Sequence, residues 1–178
     1  MRFRMAVAWL VGVCMTSFAQ GTLAAAPRDP CALPSGLRDE ISEKYPGTSL
    51  VGLADLSEYD RALFKKDHGS RCPGLVRVDF YGDGNPTWAL VLVRGNDSKL
   101  NAELVVAHKT AYVWHIRSLE TADEVSVVWR LGPGVYRDVY GDKTIRARRP
   151  VIVLCGYGSW AILYAWTGSD VVKIWLSD

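Results

Sequence analysis

From Gly74 to the C-terminus the chain is cut into short runs of β-branched and aromatic residues, separated by Gly, Asn, Asp or Pro in stretches that, except for 131–143, are too brief to hold a helix. The runs are Leu75 to Phe80, Thr87 to Arg94, Ala102 to His108, Tyr112 to Leu119, Glu124 to Arg130, Thr144 to Arg148, Val151 to Cys155, Trp160 to Trp166 and Val171 to Trp175. Parallel neighbours need a crossover of about a dozen residues or more, so these strands are expected to pair antiparallel, and their period of two marks them as strands. The expected fold is α+β: two N-terminal helices packed on a large antiparallel β-meander sheet, partly closed.

Before Gly74 the pattern is helical. Ser35 is the expected cap of a helix with Leu37, Ile41 and Tyr45 on one face, Asp39 and Glu40 in the first turn, Lys44 in the last, and Pro46-Gly47 as the stop. An extended piece from Thr48 to Leu53 follows. Ser57 with Asp60 marks a second start in the manner of a capping box, and that helix, carrying Tyr59, Ala62, Leu63 and Phe64, is expected to end by His68-Gly69. Among the strands, Trp160, Ile162, Tyr164 and Trp166 alternate with Ala161, Leu163 and Ala165. Neither face is polar, so this strand is expected to be central and covered on both sides.

At the start of the chain, Arg2 and Arg4 precede an apolar run from Met5 to Met15 and then small residues, the layout of a secretory signal peptide. The run is shorter than the roughly 20 residues that span a bilayer, so no membrane span is expected after cleavage. The expected division is a signal peptide over residues 1–24, cleaved after Ala19 or Ala24, and a single α+β domain over 25–178, periplasmic or secreted. Val13, bulky, stands before Cys14 where a lipoprotein signal wants a small residue. Cleavage removes Arg2 and Arg4, so the 21 Lys and Arg become 19 and equal the 19 Asp and Glu. A neutral domain lacks the positive field that neutralises phosphates; no nucleic-acid partner is expected, and Arg146-Ala147-Arg148-Arg149 reads as a solvated strand end, with an anion site as the alternative. In an oxidising compartment, Cys31 and Cys72, which flank the helical region in loop contexts, are expected to pair, leaving Cys155 at the end of an apolar run as a buried, unreactive thiol.

The residues that resemble chemistry are few. Asp79-Phe80-Tyr81-Gly82-Asp83-Gly84-Asn85-Pro86 resembles, over about six residues, the Asp-rich calcium loops of EF-hands and FG-GAP repeats. Asp79 and Asp83 fit the first and fifth positions, but Tyr81, Thr87 and Leu90 stand where oxygen ligands belong. The segment is therefore expected to be a hairpin turn in which Gly82 and Gly84 supply positive φ. His68 is expected to meet the carbonyls at a helix end. His108 and His115 lie on successive strands at a spacing that gives neither a same-strand pairing nor a helical zinc site. No nucleophile elbow, phosphate loop or cofactor motif is present. The chain is expected to reserve no buried ionisable cluster for bond-making.

Two features remain. All of the 7 Trp except Trp9 lie in expected strands, where core packing is the ordinary role and a row of exposed indoles would make a glycan platform. The interval from Gly132 to Lys143 mixes aromatic and charged residues as protein-contact loops do, its plainer reading being a twisted hairpin with an Arg137-Asp138 surface pair, and Tyr136, Arg137, Asp138 and Tyr140 are its candidate binding residues. The expected function is an exported, non-enzymatic protein-binding domain of the bacterial envelope, in one form an inhibitor or immunity protein against an envelope-targeted hydrolase. The alternatives are a carbohydrate or peptidoglycan-binding module using exposed Trp, and an envelope hydrolase whose site assembles from distant residues.

Overall fold

The computed structural model describes residues 29–94 and 101–177; the segment read as a signal peptide, 1–24, lies outside them. Helix α1 is Ser35–Lys44 and α2 is Glu58–His68. The strands are β1 Thr48–Leu50, β2 Leu75–Val78, β3 Thr87–Arg94, β4 Ala102–Thr110, β5 Val113–Ala122, β6 Val127–Leu131, β7 Gly134–Arg137, β8 Thr144–Ala147, β9 Val151–Gly156, β10 Trp160–Trp166 and β11 Val171–Ser177. Every ladder is antiparallel, and helices and strands together make an α+β composition.

The expectation of one large meander is corrected. The strands divide into a sheet ordered β1-β3-β4-β5 with β2 also on β3, a second sheet ordered β11-β10-β9-β6, and a separate β7-β8 hairpin. The break comes after β5: β6 pairs not with β5 but with β9, to which the chain returns only after making the hairpin. Strand β10 is central, between β9 and β11, and Ala161 through Ala165 are all buried.

Directly opposed residues of an antiparallel ladder share a face, so parity decides what each side of β3 meets. Ala89, Val91 and Val93 join the larger buried cluster with Leu104 and Val106 of β4 and with Val128, Ile152, Leu154 and Leu163 of the second sheet. Leu90 and Leu92 point the other way, into a second cluster with Leu37 and Ile41 of α1. Each such side chain, once fully buried, stabilises by roughly 1.5–3 kcal/mol, which holds a 10-residue helix that would be marginal alone. The two sheets are also joined by polar groups: the hydroxyl of buried Tyr164 donates to the Glu120 carboxylate at 2.9 Å and Lys173 donates to the same oxygen at 2.6 Å. Burial pushes the Glu120 carboxyl up, but the donors Lys173 and Tyr164 outweigh it and hold the group below the ordinary glutamate value.

β1 and β2 lie end to end along one edge of β3, opposite Leu92–Arg94 and Thr87–Leu90. Their junction is backbone on backbone: Val51 N donates to Val91 O at 3.0 Å, Gly74 N to Val51 O at 2.9 Å, and Val91 N to Gly74 O at 2.8 Å. A Cβ on Gly74 would stand 2.6 Å from Val51 O.

Helix starts and stops follow the expected chemistry with two corrections. Ser35 is the first helical residue and Pro34 occupies the cap position without a side-chain bond, consistent with proline's fixed φ and missing donor at a helix start. Ser57 does cap α2, accepting from Asp60 N at 3.1 Å. His68 does not cap it: Gly69 N donates to Lys65 O, and the imidazole lies 4.8 Å from the Phe64 ring and 5.0 Å from Trp129. Burial lowers its pKa, Arg71 adding to the effect and Asp67 opposing it.

Cys31 and Cys72 form a disulfide across a separation of 41 residues, which in the chain-entropy account stabilises by about 4 kcal/mol. Cys155 is free and buried. Burial, with Glu124 and Asp60 nearby, pushes its thiol up to about 12, so it holds no appreciable thiolate near neutral pH. Among the described residues no helix is long and apolar enough to cross a membrane. That fact and the disulfide are compatible with a periplasmic or extracellular location.

Candidate functional site

The interval 132–143, read from sequence as a contact loop or a twisted hairpin, contains β7, which pairs with β8. The pairing sorts the hairpin into two faces. Tyr136 opposes Ile145 and Gly134 opposes Ala147; this face is inward, with Tyr136 and Ile145 packed on the core and Ala147 part of it. Val135 opposes Arg146 and Arg137 opposes Thr144; these residues are exposed.

The candidate contact residues therefore separate. Tyr136 faces in and its hydroxyl donates to Gly132 O at 2.5 Å, burial raising its pKa. Asp138 is buried, accepting from Tyr140 N at 3.0 Å and, through its other oxygen, from Trp175 N at 3.0 Å. Val139 N donates to Trp175 O at 2.8 Å, so the tip is pinned to β11. Arg137 and Tyr140 remain at the surface, Tyr140 57% exposed, beside Val135 at 58% and Val139 at 50%. A monomer rarely gathers large apolar side chains outward within so short a segment unless they meet something.

Along β8 runs a groove of about 910 Å³, lined by every residue from Asp142 to Arg149 and by Trp166, Thr167, Val172 and Lys173. It is strongly cationic: Lys143, Arg146, Arg148, Arg149 and Lys173 face a single acid, Asp142. Two of these cations are engaged, Lys173 with Glu120 and Arg149 with the carbonyl of Tyr81. Arg149 occupies the space a side chain at Gly82 would need, and Gly82 has φ 69, so that turn accepts glycine alone. The sequence reading treated Arg146-Ala147-Arg148-Arg149 as a solvated strand end. Arg146 on β8 and Arg148 in the bend just past it are both exposed, as that reading has them, with no acid between Lys143 and Arg149.

A histidine and a carboxylate, distant in sequence, do converge, at the β2–β3 turn. His108 Nε2 lies 3.0 Å from Asp83 Oδ2, and Nδ1 lies 3.3 Å from Thr87 Oγ1. Asp83 only accepts, so Nε2 supplies that proton, and in the neutral ring Nδ1 accepts from the threonine hydroxyl. A hydrogen bond from Asn85, with further help from His108, holds the Asp83 carboxyl below its usual value. The order carboxylate, imidazole, hydroxyl has the form of a nucleophilic relay, yet Thr87 is 0% exposed and no substrate atom reaches it. The set instead pins the β2–β3 turn to β4. His108 and His115, expected on successive strands, are opposed in the β4–β5 ladder, and His115 meets Thr110 at 2.6 Å.

In the turn itself Asp79 accepts from Gly82 N at 2.9 Å and Asp83 from Asn85 N at 3.0 Å. Both carboxylates are therefore spent on turn backbone, as a Gly-Asp-Gly-Asn turn requires.

Among the described residues the tryptophans form no row. Trp88 and Trp114 pack beside α1, Trp129 stacks with Tyr157, Trp166 meets Tyr81 edge to face, and Trp160 meets Trp175 at 74°. The last pair lines a cavity of about 420 Å³ with Glu120, Asp123 and Glu124. A further cavity of about 590 Å³, between β2 and β6 near the end of α2, is lined by Arg71, Arg77, Trp129 and Arg130.

Comparison of the chain with protein-family models, with curated proteins and with solved structures returned no match.

Proposed function

We propose that the chain is an exported, non-enzymatic domain that binds another protein through the outer face of the β7–β8 hairpin. The observation that carries this reading is the exposure of Val135, Val139 and Tyr140 next to Arg137 and Arg146. Aromatic residues and arginine are the types enriched at protein interfaces. The export signal, the disulfide and the inert Cys155 fit a stable extracytoplasmic binder, with the bacterial envelope as its place of action.

The hairpin is laid flat on the core and pinned at its tip, which favours broad contact with a partner's surface over insertion into a cleft. An inhibitor or immunity protein acting against an envelope hydrolase fits this geometry if it covers the rim of the active site. The glycan reading is less favoured, because the indoles are dispersed and the Trp160–Trp175 pair meets edge to face rather than side by side.

The test is affinity capture from an envelope extract with the wild-type protein and with Val135→Asp/Val139→Asp, both checked for native circular dichroism. Loss of one or more specific partners in the variant is expected. Identical capture by both proteins would remove the hairpin face from consideration.

A further inference from the structure

We propose that the groove beside β8 receives an extended acidic segment of that protein partner, added as a strand to the free edge of β8. The inference rests on the protein-binding reading and assigns the partner's chemistry.

The shape of the groove is the first argument. Side chains alternate across a strand, so a pocket over a face touches every second residue. All four residues of β8, Thr144 to Ala147, line this one, both parities together, which places it along an edge. Among the described residues β8 pairs with β7 alone, and an unpaired strand edge is a template for an added chain.

Charge is the second. Lys173 and Arg149 are occupied, as above, whereas Lys143, Arg146 and Arg148 have no ion pair among the described residues. Arginine forks bind carboxylates in pairs of parallel hydrogen bonds. Arg146 stands on β8 itself, while Lys143 and Arg148 flank the strand at its two ends, so an acidic chain laid along the edge meets a cation at each end and one between. Trp166 and Val172 supply apolar lining for the residues between. The full chain carries a formal net charge of only +2, so this positive field is local.

The experiment uses a labelled alternating Glu-Val peptide of about ten residues, followed by fluorescence anisotropy, with two comparisons: the same peptide N-methylated at alternate backbone positions, and polyphosphate as competitor. Binding that weakens with salt is expected, with at least about tenfold loss in Arg146→Glu/Arg148→Glu and a similar loss on N-methylation. Arg146→Gln/Arg148→Gln serves where charge reversal disturbs folding. Equal binding of the N-methylated peptide, or displacement by polyphosphate at matched charge, overturns strand addition, as does the absence of binding. If Val135→Asp/Val139→Asp abolishes partner capture while Arg146→Glu/Arg148→Glu does not, the groove inference falls and the hairpin reading stands. If neither variant changes capture, both fall.

Discussion

Tyr157 places its hydroxyl where it finds no partner among the described residues, stacked on Trp129 and edge-on to Phe64. Burial, followed by the neighbouring Asp67, pushes its pKa up to about 12, so ionisation offers no relief at neutral pH. A buried hydroxyl without a hydrogen bond costs about 1–3 kcal/mol. Tyr157→Phe keeps the ring contacts and removes that cost, and is expected to raise stability by about 1 kcal/mol, or about 2–4 °C in Tm. Denaturant unfolding monitored by circular dichroism checks it; a loss of stability would mean that the hydroxyl is satisfied by a bound water. Nothing in the sequence near Tyr157 announces this, since its surroundings come from α2 and β6. The same distance hid the His108–Asp83 pair, whose members lie 25 residues apart. Cys31 and Cys72 were legible because their flanking prolines and the one remaining apolar Cys155 left a natural pairing.

Strands β3 and β10 were readable from sequence to the residue, because each is a long apolar run bounded by turn formers, Pro86 and Asn85 for one and Gly158 and Gly168 for the other. β7 was not. It has only 4 residues, begins at a glycine beside Pro133, and becomes a strand only by pairing with β8. The division into two sheets was hidden for a similar reason, since β6 chooses β9 over its sequence neighbour β5 and local pattern carries no information about that choice. Gly74 shows what such pairings demand of one position. Its Cβ would strike both Val51 O and Val51 N, at 2.6 and 2.8 Å, and backbone there cannot rotate away as a side chain would. Gly74→Ala is expected to destabilise by about 2 kcal/mol or more, at the upper range of overpacking costs, and to weaken amide-exchange protection at Val51 and Val91 first. Wild-type stability in Gly74→Ala would show that β1 and β2 are not held to β3 at this junction.

For the molecule as a whole, the titrating groups predict how stability responds to acid. His68, Asp83 and Glu120 all have folded-state pKa values below their ordinary ones. A group depressed in this way binds its proton more readily when unfolded, so stability is present above the unfolded value and is lost as pH falls towards the folded one. The reference value for His68 is 6.5, whereas those of Glu120 and Asp83 are 4.5 and 3.8. Acid should therefore act in two stages. The first begins near pH 6.5, as the imidazole held between Phe64 and Trp129 is forced to charge beside Arg71. The second begins near pH 4.5, as Glu120 loses the charge that ties Lys173 and Tyr164 across the sheets. Urea midpoints measured from pH 8 to 3 should be level above pH 7 and then show both declines. His68→Gln, which cannot charge, should remove the earlier decline and leave the later one. Persistence of the early step in that variant would move its origin to another group, and with it the reading of His68 as an aromatic packing residue whose neutral form the fold requires.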